Sequence, residues 1–320
     1  MEILKHYVNT AIKISPVALA AMTYTIKKMA NCKLCPRQCN TDRNTAVGVC
    51  GVSNTVKAAK ACLHMWEEPP ISGKNGSGAV FFSGCSLKCC FCQNYQISHE
   101  GFGREITEKR LSEIFLELQD KGANNINLVN PTHYVYQIIN ALDMVKHRLH
   151  IPVVYNSGGY ERTETLQLLQ DYVDIYLPDM KYFSSELSAR YSKASDYFEY
   201  ASKAVLEMHR QQPELIWEGD MLKKGLVIRH LILPGCRHDS INIVKWLSEN
   251  LPKNSFMISL MSQYTPTFLS SQFPEINRKV TTFEYKSVLN EVIRCGIDGF
   301  TQDKQSAQLK YIPDFNLEGI

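Results

Sequence analysis

From residue 79 onward the chain alternates short apolar runs with stretches of helical period. The runs at 79–83, 125–129, 152–156, 173–177, 226–233 and 256–261 are mostly continuous in Val, Ile, Leu, Phe and Tyr and are bounded by Gly, Pro or Asn. Strands covered on both faces read this way, because neither face has to meet water. Between them, Leu111, Ile114, Phe115 and Leu118 fall at i, i+3, i+4 and i+7, with Thr107 placed to cap the first turn and Gly122 to end the last. Ile138, Ala141, Leu142 and Val145 repeat the pattern, and so do Tyr285, Val288, Leu289 and Val292 ahead of Gly296. Parallel neighbours need crossover connections, which the helices supply. The alternation predicts an α/β fold, a partial (β/α)6 TIM-like barrel, with its chemistry at the carboxyl ends of the strands.

Residues 1–78 have a different texture, rich in Cys, Gly and Pro, and read as an N-terminal cysteine-rich region followed by a lid over the barrel mouth; residues 79–320 form the barrel. His64 and Glu67 in that lid are candidates for the substrate side. Hydrophobic residues at 44% and charged residues at 21% of 320 exclude a disordered chain or a coiled coil. The net charge of +3 points to neither nucleic acid nor membrane phosphate as a partner. Nothing in the sequence reaches the unbroken apolar length of a bilayer span. The segment 11–29 carries Lys13, Pro16, Lys27 and Lys28 and reads as mature chain, so the protein is expected in the cytoplasm.

The cysteines change the picture most. Of 11, eight lie in two tight groups between Asn31 and Gln93. That distribution suits metal ligation better than a disulfide framework. Cys85, Cys89 and Cys92 form a C-x3-C-x2-C array directly after the first barrel strand. Three thiolates from one loop can hold three irons of a 4Fe–4S cluster and leave the fourth open to a ligand. The alternative is a zinc half-site on Cys89 and Cys92, for which no matching half stands nearby. Cys90 reads as a spare thiol, and Cys62, Cys236 and Cys295 as structural. Cys32, Cys35, Cys39 and Cys50 give C-x2-C-x3-C-x10-C, which can close either a tetrahedral zinc site or a second iron–sulfur cluster. Arg37 and Arg43 beside them suit an anionic metal–thiolate centre. A non-catalytic zinc-binding interaction scaffold is the competing class of function.

The Cys85 array, its place after the first strand and the βα pattern resemble the radical S-adenosylmethionine superfamily. Cys92-Gln93-Asn94-Tyr95, Glu67-Glu68-Pro69, Asn130-Pro131-Thr132-His133, the stretch from Val173 to Lys181 and Arg229-His230-Leu231-Ile232-Leu233-Pro234-Gly235 resemble its pyruvate formate-lyase activating enzyme-like group. The resemblance runs from about Cys32 to the last helix. It implies reductive cleavage of S-adenosylmethionine at the cluster, giving a 5′-deoxyadenosyl radical that abstracts a hydrogen atom from a substrate. It also implies a flavodoxin- or ferredoxin-type reductant, and a glycyl-radical enzyme, another peptide or a small metabolite as substrate.

The same resemblance nominates cofactor contacts. Asp179 and Lys181 match the D-x-K of activating enzymes, against the plain reading of a surface ion pair. Arg229 matches their strand-five arginine, whose partner is the cofactor carboxylate. Asn156 and Ser157 stand in a Gly-Gly turn where those enzymes carry Asp, so the turn binds cofactor or is an ordinary strand-to-helix connection. Asn130 and Thr132 occupy the place of a Gly-Gly-Glu stretch that receives the methionyl amine; with no carboxylate here, their polar atoms or backbone carbonyls have to serve.

Overall fold

A computed structural model describes residues 29–301 and 313–320, so segment 11–29 lies, Met29 apart, outside the described residues. The strands are β1 (Val56–His64), β2 (Ser77–Phe82), β3 (Arg104–Ile106), β4 (Ile126–Val129), β5 (Val153–Ser157), β6 (Ile175–Pro178), β7 (Ile216–Glu218), β8 (Met221–Leu231), β9 (Met257–Met261) and β10 (Gly299–Thr301). They make one sheet in the order β10-β9-β8-β6-β5-β4-β2-β1-β3, with β7 on β8. From β2 through β4, β5, β6 and β8 to β9 every pairing is parallel, and these are the six strands the apolar runs predict. The fold is a partial TIM-like barrel with further strands at both margins.

The helices are α1 (Pro69–Ser72), α2 (Tyr95–Ser98), α3 (Glu108–Asp120), α4 (Val135–Val145), α5 (Thr163–Gln167), α6 (Ser185–Ser192), α7 (Tyr197–Gln211), α8 (Arg237–Asn250) and α9 (Thr282–Cys295). Thr107 caps α3 by accepting from Arg110 N, and Gly296 ends α9 at φ 66°. Leu111, Ile114, Phe115 and Ile138 pack against Val80, Phe82, Ile126 and Leu128. Around the sheet, Tyr155, Tyr176, Ile228 and Ile258 meet Leu166, Val205, Ile243 and Val288. Each such fully buried side chain contributes about 1.5–3 kcal/mol over an exposed one. Because strand side chains alternate, this outward set leaves Asn127, Asn156, Arg229 and Ser259 on the inner face.

The N-terminal region departs from expectation. The boundary after Gly78 falls inside β2, and β1 pairs antiparallel with β2 along its length, so the sheet itself joins the two regions. The pairing His64↔Ser77 brings the end of β1 to the amino end of β2. From there α1 runs beneath the strands: Asn125 Nδ2 donates to Ile71 O at 2.8 Å, and Ile71 packs with Val154, Ile175 and Leu222. The segment expected as a lid over the mouth is therefore the floor of the barrel. An antiparallel β1 returns the chain to the end opposite Cys85, which the sequence does not announce.

Candidate active site and a second cysteine centre

Gly84 at φ 90° turns the chain out of β2 into the loop of Cys85, Cys89 and Cys92. A Cβ on Gly84 would meet Val52 Cγ1 at 2.8 Å and Cys50 O at 2.9 Å, so only glycine fits this turn. The three sulfurs each receive a donor: Leu87 N reaches Cys85 Sγ at 3.4 Å, Ser192 Oγ reaches Cys89 Sγ at 3.0 Å, and Ser98 Oγ reaches Cys92 Sγ at 3.2 Å. Burial and the neighbouring Cys89 push the Cys92 thiol up to about 12, and burial raises Cys85 as well. Thiols so reluctant to ionise alone release their protons when a metal centre takes their place. Among the described residues no three His, Cys, Asp or Glu side chains gather as they would around a single metal ion, and this holds for both cysteine groups.

The loop is braced from below. Asn130, at φ 60°, donates through Nδ2 to Gly84 O, and His133 Nε2 lies 2.7 Å from Ser83 O. Burial, with Arg43 nearby, pushes His133 down to about 3, so it is neutral and donates that hydrogen bond. Thr132 Oγ1 donates to Glu161 Oε1 at 2.7 Å and is buried. Asn130 and Thr132, nominated as cofactor contacts, thus spend their side chains on the protein. Glu161, buried among Thr132, Ser157 and Tyr155, has its carboxyl pushed up to about 7 by desolvation. The sequence reading missed it, since it sits beyond the Gly-Gly turn with no spacing signal.

Inside the barrel, four nominated residues form one network. Arg229 donates through Nε to Asp179 Oδ1 at 2.8 Å and through Nη2 to Asn156 Oδ1 at 2.6 Å. Lys181 Nζ lies 2.5 Å from the other Asp179 oxygen. From the floor, Glu67 reaches Arg229 at 3.4 Å and Asn156 Nδ2 at 3.3 Å. Burial works against the Asp179 anion, but Arg229 and Lys181 outweigh it and hold the carboxyl below its ordinary value. Burial raises the Glu68 carboxyl, with Arg229 opposing. His64, the other floor candidate, packs its ring edge-on to Phe81, and burial lowers its pKa.

Ser157 does not join the network; its Oγ accepts from Gly159 N at 3.2 Å. The Tyr197 hydroxyl holds the strand ends together, accepting from Lys181 N at 2.9 Å and reaching Gly158 O at 2.9 Å. A Cβ on Gly159, at φ 76°, would lie 2.0 Å from Asp179 O, so the paired glycines let these two strand ends close up. Glu68 Oε2 and both polar atoms of the Asn127 amide are buried without a protein partner.

The model of the Radical SAM superfamily matches residues 79–219, and a radical SAM domain therefore occupies this part of the chain. An uncharacterized protein of Methanocaldococcus jannaschii, MJ0674, is 29% identical over 280 residues, which is 84% of this chain and 76% of that one. Streptococcus suis SuiB bound to its precursor peptide SuiA is 15% identical at a TM-score of 0.48 over 68% of this chain and 46% of SuiB, so the chain spans about half of SuiB. A domain of pyruvate-formate lyase-activating enzyme from Bacteroides vulgatus is 12% identical at a TM-score of 0.36, over 61% of this chain and 91% of that domain.

The domain implies a 4Fe–4S cluster and S-adenosylmethionine. The residues present fit both. Three thiols of one loop, Cys89 buried and Cys85 and Cys92 half-buried, with a donor on each sulfur suit a cluster, and the unpartnered Asn127 amide and Glu68 oxygen leave the interior short of polar partners. Among the described residues no helix is long and apolar enough to cross a membrane.

Proposed function

We propose that the chain is a cytoplasmic radical S-adenosylmethionine enzyme acting on a protein or peptide, with activation of a glycyl-radical enzyme as its narrower form. Cys85, Cys89 and Cys92 hold the cluster, whose chemistry when S-adenosylmethionine is bound is one-electron cleavage and hydrogen-atom abstraction. The observation that carries the reading is the donor placed on each of the three sulfurs. Such hydrogen bonds draw negative charge off thiolates and favour the reduced state.

The other residues have supporting roles. Arg229 supplies a fixed, doubly engaged guanidinium for the cofactor carboxylate, taking it in place of the weaker Glu67 contact at 3.4 Å. Asp179 keeps Arg229 and Lys181 oriented and charged. Asn156, between Arg229 and Glu67, presents an amide to ribose or carboxylate. Asn130 and His133 hold the Cys85 loop at the mouth, and Thr132 and Ser157 serve the packing around Glu161.

The test is anaerobic: iron and sulfide per chain, 5′-deoxyadenosine formed after dithionite, then incubation with candidate glycyl-radical partners followed by electron paramagnetic resonance. A doublet radical signal on a partner supports the narrow form. Cleavage without any such signal shifts the substrate to another peptide or a metabolite, and no 5′-deoxyadenosine after cluster reconstitution overturns the reading.

A further inference from the structure

The two cysteine groups are in direct contact. Cys85 N donates to Cys50 O at 3.0 Å, so a ligand of one set is hydrogen-bonded through the backbone to a member of the other. Arg37, between Cys35 and Cys39, spreads its guanidinium over Ser86 O at 3.0 Å, Ser192 O at 3.1 Å and Lys193 O at 2.5 Å. Ser192 is the residue whose hydroxyl donates to Cys89 Sγ. Both ends of the Cys85–Cys89 segment are therefore held by the N-terminal loop.

The charge around the N-terminal thiols calls for an anion. Arg43 is fully buried, donating to His133 O at 2.7 Å, Val52 O at 3.3 Å and Ser53 O at 2.5 Å, with Cys32 Sγ 3.9 Å away. Among the described residues no carboxylate makes a salt bridge with it. A cation buried this way is costly unless a negative group stands beside it, and metal-bound thiolates supply one. A Cβ on Gly48 would touch Cys50 Sγ at 3.4 Å, Arg43 Cδ at 3.5 Å and Cys39 Sγ at 3.5 Å, which puts Arg43 among the sulfurs.

Zinc and iron differ in what the arrangement does for them. A structural zinc needs four closed ligands and gains nothing from touching a redox site. Here three thiols come from one short stretch and the fourth from beyond a loop, as in ferredoxin-type clusters, and that fourth cysteine is the one bonded to Cys85. The loop ahead of it faces solvent, with Val47 62% and Val49 51% exposed, whereas Cys89 is buried.

The geometry points to Cys32, Cys35, Cys39 and Cys50 as ligands of a second iron–sulfur cluster that passes single electrons to the Cys85 cluster through the Cys50 carbonyl and Cys85 amide. This rests on the reading of Cys85, Cys89 and Cys92 given above. In each transfer the N-terminal cluster is oxidised by one electron and the Cys85 cluster is reduced by one. A flavodoxin-type one-electron donor then refills the first. No covalent bond or proton changes hands.

The test uses the full chain, reconstituted anaerobically. Wild-type protein is expected to hold about eight irons and no zinc, and the Cys85→Ala, Cys89→Ala, Cys92→Ala triple variant about four. The triple variant should keep a dithionite-reduced paramagnetic signal that S-adenosylmethionine does not perturb. The Cys32→Ala, Cys35→Ala double variant should keep the perturbable signal and lose most of its rate of reduction by a flavodoxin. Should that variant fail to fold, the fully reduced wild type decides, because two clusters this close broaden each other's spectra. About four irons with one zinc, an unchanged rate of reduction, or two uncoupled spectra would each overturn the relay. A wild type with about eight irons and no response to S-adenosylmethionine would sink the catalytic reading while leaving the second cluster in place.

Discussion

Arg229 Nε and Asp179 Oδ1 lie 2.8 Å apart across adjacent strands at the same level of the barrel, and Asp179 is joined on its other oxygen to Lys181. The pair is mostly withdrawn from solvent, its side chains 17% and 16% exposed, so its members depend on each other. Arg229→Met leaves Asp179 and Glu67 without their shared cation and should destabilise the protein by about 3–5 kcal/mol in urea unfolding. Arg229→Lys restores the charge but not the fork. It should recover much of that stability while S-adenosylmethionine binding stays weakened, on the order of tenfold by anaerobic calorimetry. Equal binding by Lys and Arg would remove the guanidinium from cofactor recognition.

Two glycines with nearly the same backbone angle should respond differently to alanine. Gly159 at φ 76° has Asp179 O where the Cβ would sit, whereas Gly235 at φ 77° has nothing within 4 Å. Gly235→Ala should cost about 1 kcal/mol, the price of a left-handed residue. Gly159→Ala should cost clearly more and should also weaken S-adenosylmethionine binding, because it pushes Asp179 away. Equal losses would mean the β5 and β6 ends yield freely.

The Glu161 carboxyl titrates near 4.5 when free and is pushed up to about 7 by burial. The folded form therefore keeps its proton between those values while the unfolded chain releases it. Stability present below pH 4.5 is lost as pH rises to 7, by up to about 3 kcal/mol. Glu161→Gln has no such titration, so the gap between wild type and variant should shift in the variant's favour from pH 5 to pH 8. Parallel pH profiles would show that the carboxyl ionises as easily as in water.

Ser192 links Tyr182 to Cys89 Sγ, at 2.7 Å and 3.0 Å. Ser192→Ala deletes one donor to a cluster sulfur and should move the potential of the Cys85 cluster to more negative values, read by redox titration of its paramagnetic signal. Ser98→Ala, at Cys92, should act in the same direction. A potential that stays put in both would mean that these hydroxyls only fill space.

The sheet was legible because its six central strands are covered on both faces and read as mostly continuous apolar runs despite the few polar residues of the inner face, and α3 because Thr107 and Gly122 bound a clear helical period. β1 was not legible. Its sequence, Val-Lys-Ala-Ala-Lys-Ala-Cys-Leu-His, mixes small and basic residues, since one side packs under the C-terminal residues and Lys60 pairs with Glu318. Missing β1 turned the floor into a lid. At the site, cysteine spacing and D-x-K survive as local patterns. Ser192 donates across 103 residues to Cys89, and Tyr197 meets Gly158 from 39 residues away, so neither leaves any trace in a window of sequence. Thr132 and Ser157 looked available because sequence shows polarity but not where a hydroxyl is spent.

The N-terminal thiols are also closed over late. Thr165 Oγ1 donates to Leu34 O across 131 residues, Arg162 to Lys33 O across 129, and Arg37 clasps Ser192 and Lys193 more than 150 residues on. Loops of that length close slowly, and a chain emerging from the ribosome has to extend through α6 before they can. The first cysteines to be synthesised thus wait, uncovered, for contacts that come from the middle of the chain. Closure over these thiols therefore follows synthesis of the chain through Lys193, and until then the contacts of Arg37 with Ser192 and Lys193 cannot shelter them.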